Sequence, residues 1–175
     1  MKNKIICIVG ESGSGKNWVA NHLEEEYNIP QLISRTTRPK RHPDEKGYIF
    51  VSDKEFDRYQ MDEMVAFTIF GDHRYACLFK DIPDKVDIMS FICDENGLTY
   101  LRQQHSDYFD IFAFRLFAAE YKRLILVGEE RIERDNNMFL LPYHEFDYII
   151  DNTTFEDTDR KICKMMIRIY QKFKN

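Results

Sequence analysis

Gly10-Glu11-Ser12-Gly13-Ser14-Gly15-Lys16-Asn17 is the stretch on which the fold turns. The apolar run Ile5-Ile6-Cys7-Ile8-Val9 precedes it, and Val19, Ala20, Leu23 and Tyr27 follow at helical spacing. The order is therefore strand, glycine loop, amphipathic helix. In that setting GxxxxGK is a phosphate-binding loop. Its glycines let successive N–H groups turn inward, the helix beginning near Lys16 adds the positive end of its dipole, and Lys16 supplies a charge for terminal phosphates. Gly10, Glu11, Ser12, Gly13, Ser14, Gly15 and Lys16 are thus expected to hold a nucleotide triphosphate. The glycine spacing is not the GxGxxG of dinucleotide folds. Asn17 stands where this motif usually carries a hydroxyl that meets magnesium. Three readings follow: its amide oxygen ligates the cation, the cation is held through water, or the loop no longer supports catalysis.

Outward from the loop, residues 29–33 read as a second strand, after an acidic run Glu24-Glu25-Glu26 suited to a solvated helix face. The character changes from Ser34 to about Phe79. A basic loop, Arg35-Thr36-Thr37-Arg38-Pro39-Lys40-Arg41-His42-Pro43, is followed by a strand at 48–51. Ser52 with Glu55 forms a capping box for a helix to about Met61, and apolar runs at 64–70 and 75–79 flank Gly71-Asp72 as a β-hairpin. The pattern then returns to alternation: strand 86–93, helix 97–104, strand 111–117, an arginine-bearing helix at about 120–136, strand 148–150, and a last helix striped by Ile162, Met165, Met166, Ile169, Tyr170 and Phe173. Alternating strands and helices predict an α/β fold, a parallel sheet covered on both faces, with ligands at the carboxyl ends of the strands.

The 175 residues suit a single domain. A hydrophobic fraction of 43% and a charged fraction of 31% are those of a globular protein, and a net charge of -5 argues against a surface built for nucleic acid. Cys7, Cys77, Cys93 and Cys163 lack metal-ligand spacing, so reduced thiols are expected. No apolar run approaches roughly 20 residues and the amino terminus passes straight into a strand, so neither a membrane span nor a signal peptide is expected, which points to the cytoplasm.

Arg38 and Arg41, three apart on an extended basic loop, can turn toward one anion, and guanidinium forks match phosphate oxygens. Here Ser34-Arg35-Thr36-Thr37-Arg38-Pro39-Lys40-Arg41, then Gly47-Tyr48-Ile49-Phe50-Val51-Ser52 and Glu55-Phe56, behind the glycine loop, resembles guanylate kinase. The resemblance is strong over residues 4–56, fair through the hairpin, returns at 94–97 and 146–152, and is weak between 117 and 144. It implies a P-loop NTPase-type core at 1–33 and 80–175, a small β-rich acceptor-binding insertion at 34–79, and a helical lid at about 118–140. It implies ATP and a GMP-like nucleoside monophosphate as partners, Mg2+ as cofactor with Asn17 at the metal position, and a monomer or homodimer. Arg38, Arg41, Tyr48 and Tyr75 match the residues that hold the acceptor phosphate. Ser34, Cys77 and Asp94 match positions lining the acceptor base or its surroundings, and Asn152 matches an asparagine beside adenine. The resemblance further implies catalytic charge at Lys16 and Arg38 and at Arg123, Arg131 and Arg134, which fall in the lid region that neutralises the transferring phosphoryl group.

Two departures accompany the match. A nearby partner aspartate of Asp94 is replaced by Ile92. The family's base-reading glutamate, about ten residues after the Glu-Phe pair, has no counterpart in Val65-Ala66-Phe67-Thr68; Glu63 is the nearest upstream, and using it would require a register shift. The leading expectation is phosphoryl transfer from ATP to GMP or dGMP. A non-guanine nucleotide or a ribose bisphosphate is an alternative acceptor, and a catalytically inactive protein-binding module is the alternative of another class.

Overall fold

The computed structural model describes residues 2–154 and 157–174. In chain order the elements are β1 (Asn3–Val9), α1 (Lys16–Tyr27), β2 (Gln31–Leu32), β3 (Ser34–Thr36), β4 (Tyr48–Phe50), α2 (Asp53–Phe56), β5 (Met64–Phe70) and β6 (His73–Leu78). These are followed by β7 (Ile88–Cys93), α3 (Glu95–His105), β8 (Phe109–Phe117), α4 (Glu120–Val127), α5 (Glu129–Met138), β9 (Tyr148–Asp151) and α6 (Thr158–Lys174). Five strands form a parallel sheet in the order β2-β7-β1-β8-β9.

β1 is central, and its unbroken apolar run is explained by burial on both faces. Ile5, Cys7 and Val9 share one core with Met89, Phe91, Leu98 and Leu101. Ile6 and Ile8 point the other way, into a core closed by Val19, Ala20 and Leu23 of α1 and by Ile162, Met165, Met166 and Ile169 of α6. The stripe on α6 is narrower than its sequence suggests, because Tyr170 is exposed and Phe173 is only partly buried at its edge. Among the described residues, no helix is long and apolar enough to cross a membrane.

Residues 34–78 contribute a second sheet, β4-β3-β6-β5. β5 and β6 form the expected hairpin around Gly71, whose φ of 61° suits a glycine turn. Val65, Ala66 and Cys77 on this sheet complete the core above β1 and β7, so the second sheet is seated on the carboxyl side of the first.

Three local expectations change. Residues 35–36, read as the start of a basic loop, belong with Ser34 to a strand paired to β4 and β6, and Arg35 is fixed by two hydrogen bonds to Asp81 at 2.9 and 2.6 Å. The helix capped by Ser52 ends at Phe56 rather than near Met61. The Asp53 and Asp57 carboxylates accept from Arg74 at 2.7 and 2.6 Å, while Glu63 accepts from Gln60 N–H at 2.9 Å and starts a separate turn. The helix expected over 120–136 is two helices broken at Gly128 (φ 80°), whose N–H closes α4 on Leu124 O at 3.0 Å.

Candidate active site

The phosphate loop leaves β1 at Gly10, hard against the backbone of β8. A side chain at Gly10 would place its Cβ 2.1 Å from Leu116 O, so only glycine fits. Gly13 and Gly15 take φ of 76° and 98° and curl the backbone before α1. Within this curl Ser14 N–H donates to Glu11 O at 3.2 Å. No hydrogen bond to a protein acceptor among the described residues is made by the N–H groups of Gly13, Gly15 and Lys16, which leaves a donor cradle at the positive end of α1.

Lys16 Nζ donates to Gly10 O at 2.7 Å and Glu11 O at 2.8 Å. Burial lowers its pKa to about 8, against the pull of Asp135 and Glu11 and with added repulsion from Arg131 and Arg123. Asn17 is exposed on the first turn of α1. Asn152 is fully buried, donating through Nδ2 to Ser14 O at 2.9 Å and accepting from the Thr158 hydroxyl at 2.5 Å. Both ends of its amide are spent, one on the loop and the other on the first residue of α6.

A row of charge supports the loop from below. Glu11 accepts from Arg115 of β8, and Arg115 also donates to Glu95 at 2.6 Å. Glu95 Oε2 in turn accepts the N–H groups of Leu140 and Leu141, each at 2.6 Å. The backbone beyond α5 thus fills the second oxygen of Glu95, whereas Glu11 Oε2 and Arg115 Nε are buried with no partner among the described residues.

Across a cleft of about 390 Å³ lie the basic-loop residues. Arg38 is buried, with its guanidinium 5.3 Å from the Tyr48 ring centroid and 5.4 Å from that of Phe50. It donates to Glu45 at 2.7 and 3.2 Å, while Arg41 N–H reaches the same carboxylate at 2.6 Å. Glu45 is held at a pKa of about 2, chiefly by its hydrogen bond from Arg38 and against the opposing effect of burial. Tyr48 and Tyr75 meet edge to face at 5.9 Å. Deeper in the cleft, Ser34 Oγ and Cys77 Sγ are 3.3 Å apart, and Cys77, pushed to about 12 by burial, is a thiol. Ala66 lies opposite Cys77 in the β5–β6 register. The Thr68 hydroxyl donates to Asp94 at 2.8 Å, Gly97 N–H donates to the other Asp94 oxygen at 2.7 Å, and burial raises the Asp94 pKa. Glu63 is exposed and committed to its own turn.

The three arginines of α4 and α5 part company. Arg123 is buried and donates to Ser12 O at 3.0 Å and Asp135 at 3.3 Å. Arg134 donates to the Ser12 hydroxyl and to Asp135, both at 3.0 Å, and its guanidinium covers the Phe70 ring at 4.4 Å. Arg131 lines the cleft with a buried Nε that has no partner among the described residues. Burial, followed by repulsion from Arg41, Arg134 and Arg38, lowers its pKa.

The structure therefore brings Lys16, Asn17, Ser34, Arg41, Tyr48, Tyr75, Cys77, Asp94, Arg131 and Arg134 to one cleft, with Arg38 beside it and Arg123 and Asn152 behind the loop. Glu45, Asp135, Glu95, Arg115 and Thr68 were not foreseen. Arg115 had left a trace in the sequence, a charge near the end of the run Phe109-Asp110-Ile111-Phe112-Ala113-Phe114-Arg115.

The family model described as guanylate kinase matches residues 2–169. A guanylate kinase of Streptomyces kasugaensis is 29% identical over 179 aligned residues, covering 94% of this chain and 87% of that protein. One from Mesoplasma florum is 25% identical over 95% of this chain and 61% of its own length. The crystal structure of guanylate kinase from Anaplasma phagocytophilum superposes with a TM-score of 0.71 at 20% identity, covering 96% of this chain and 87% of that one. With a match that takes in the phosphate loop, the basic-loop cleft and the helices above them, this chain belongs to the guanylate kinase family.

Proposed function

We propose that this chain transfers the γ-phosphoryl group of ATP to GMP or dGMP, using α4 and α5 as a lid. The observation that carries the reading is one cleft lined by the donor cradle at Gly13, Gly15 and Lys16, by Arg41, Tyr48 and Tyr75, and by Arg131, whose charge acts on Lys16 and is itself repelled by Arg41. Phosphoryl transfer asks a protein for alignment and charge neutralisation more than for a base. Lys16 and the loop N–H groups grip the donor. Arg38 and Arg41 exchange Glu45 for the acceptor phosphate, and Arg131 meets the charge that develops between the two. Residues of α4 and α5 exclude water over the reacting groups.

Magnesium fits this site as a nucleotide-bound ion. Among the described residues, no group of three or more His, Cys, Asp or Glu side chains is placed to hold a metal. Exposed Asn17 offers one amide oxygen, which suits an ion that keeps its waters and takes most of its ligands from phosphates. When bound, it would neutralise phosphate charge.

Ala66 and the Thr68–Asp94 hydrogen bond favour a second reading, a wider choice of acceptor, because the wall at β5 presents no carboxylate to a guanine edge. ADP release from ATP with GMP, dGMP, the other nucleoside monophosphates and a ribose bisphosphate decides between them. Turnover with GMP and its loss in Lys16→Ala support the first reading. Turnover with a non-guanine acceptor alone replaces GMP, and ATP affinity unchanged by Lys16→Ala would favour a protein-binding domain.

A further inference from the structure

We infer that Asp135 is a positioning residue that docks α5 on the phosphate loop and sets its arginines; the inference rests on the phosphotransferase reading above. Asp135 is fully buried, yet it sits on a helix that is otherwise largely polar and exposed. Its Oδ2 accepts the backbone N–H of Ser12 at 2.5 Å and the guanidinium of Arg123 at 3.3 Å. Its Oδ1 accepts from the Ser12 hydroxyl at 3.3 Å and from Arg134 at 3.0 Å. Arg123 and Arg134 each also bond to Ser12, so a carboxylate, two guanidiniums and one loop residue close a single network.

This arrangement separates the arginines by role. Two are locked to the loop through Asp135 by their terminal guanidinium nitrogens, and Arg131, one turn earlier on the same helix, lines the cleft with its Nε unpartnered among the described residues. A guanidinium aimed at a transferring group is useful only if its helix is held to a fraction of an ångström. Asp135 takes the Ser12 N–H and leaves the N–H groups of Gly13, Gly15 and Lys16 without a protein acceptor among the described residues, so it anchors the helix while most of the donor cradle stays open.

The test pairs kinetics with hydrogen exchange on the full chain. Asp135→Ala should lower kcat about 10²-fold, the usual cost of an ångström-scale misplacement, while the acceptor KM moves by less than about threefold. Asp135→Asn, which keeps an acceptor for Ser12 N–H, should recover to within about tenfold of the parent. Asp135→Ala combined with Arg123→Ala should fall no further than the worse single variant, since both break one network. A kcat per titrated active site that is unchanged, additive losses, or a gain in ATP affinity and rate would each overturn the assignment, the last by showing that the carboxylate competes with the donor. If the parent protein transfers no phosphoryl group, the phosphotransferase reading fails by itself. Exchange still decides the docking: Asp135→Ala must speed amide exchange in α5 and at the loop as Arg123→Ala does, and unaltered exchange refutes it.

Discussion

Raising the pH from 7 to 9 should weaken capture of the donor without slowing the chemical step, and Lys16 is the reason. Its ammonium is taken from water by the loop, which lowers its pKa from 10.5 to about 8. At pH 9 about a tenth of the unliganded protein would carry the charge, and kcat/KM for ATP should fall about tenfold for each further unit. Donor phosphates beside the ammonium restore its proton affinity, so kcat should stay level across the same range. Steady-state ADP release at varied ATP and saturating acceptor, from pH 6.5 to 9.5, reads both quantities. Lys16→Arg should abolish the break because a guanidinium does not titrate there. The same shift acts on stability. Between about pH 8 and 10.5 the unfolded chain binds the proton that folded Lys16 has released, so stability rises with pH through that window, by about 3 kcal/mol for the full shift. Guanidinium denaturation should show that rise in the parent and a flatter profile in Lys16→Met. A kcat that falls in parallel with kcat/KM, or no break below pH 10, would refute the argument.

Other perturbations reach the opposite wall and the loop. Glu45→Gln leaves buried Arg38 short of its counter-charge and should cost about 3 kcal/mol at pH 7, yet GMP should raise its melting temperature by more than it raises the parent's; equal ligand shifts would show that Glu45 and the acceptor phosphate do not share the arginines. In the parent, Glu45 has a folded pKa of about 2 against 4.5 unfolded, so its contribution is complete above pH 4.5 and is lost as the pH falls through 2, visible as an acid transition absent from the Gln variant. Gly10→Ala drives a methyl against Leu116 O and should remove ATP binding or folding, whereas retained ATP affinity in titration calorimetry would mean that the loop moves off β8 at little cost. Ala66→Glu places a carboxylate opposite Cys77 and should shift the ratio of kcat/KM for GMP over AMP at least about tenfold toward GMP; an unchanged ratio would remove β5 from base reading.

Several features of the site were legible because their signals are local. The glycine loop was evident from spacing alone, since a curl between strand and helix needs glycine at particular backbone angles, and Gly13 and Gly15 take them. The β5–β6 hairpin was equally clear from two apolar runs around Gly71. The break at Gly128 was less so, because a glycine inside a helical pattern is tolerated as often as it terminates one. Helix α2 stopped early for a related reason: a second cap at Gln60 and Glu63 and the pull of Arg74 on Asp53 and Asp57 competed with the first.

Charge partners were the blind spot. Arg123, Arg131 and Arg134 look alike in a helical segment, yet one props Ser12, one bridges to it and one is left over the cleft. Asn152 and Asp135 likewise bind the loop across 138 and 123 residues of chain. By itself the sequence determined the order of strands and helices, the phosphate loop and the basic loop, because periodicity, glycine geometry and charge spacing act over a few residues. The tertiary structure alone decided which of those charges is spent on another and which remains for a ligand, because that depends on side chains from distant segments competing for the same buried donors and acceptors.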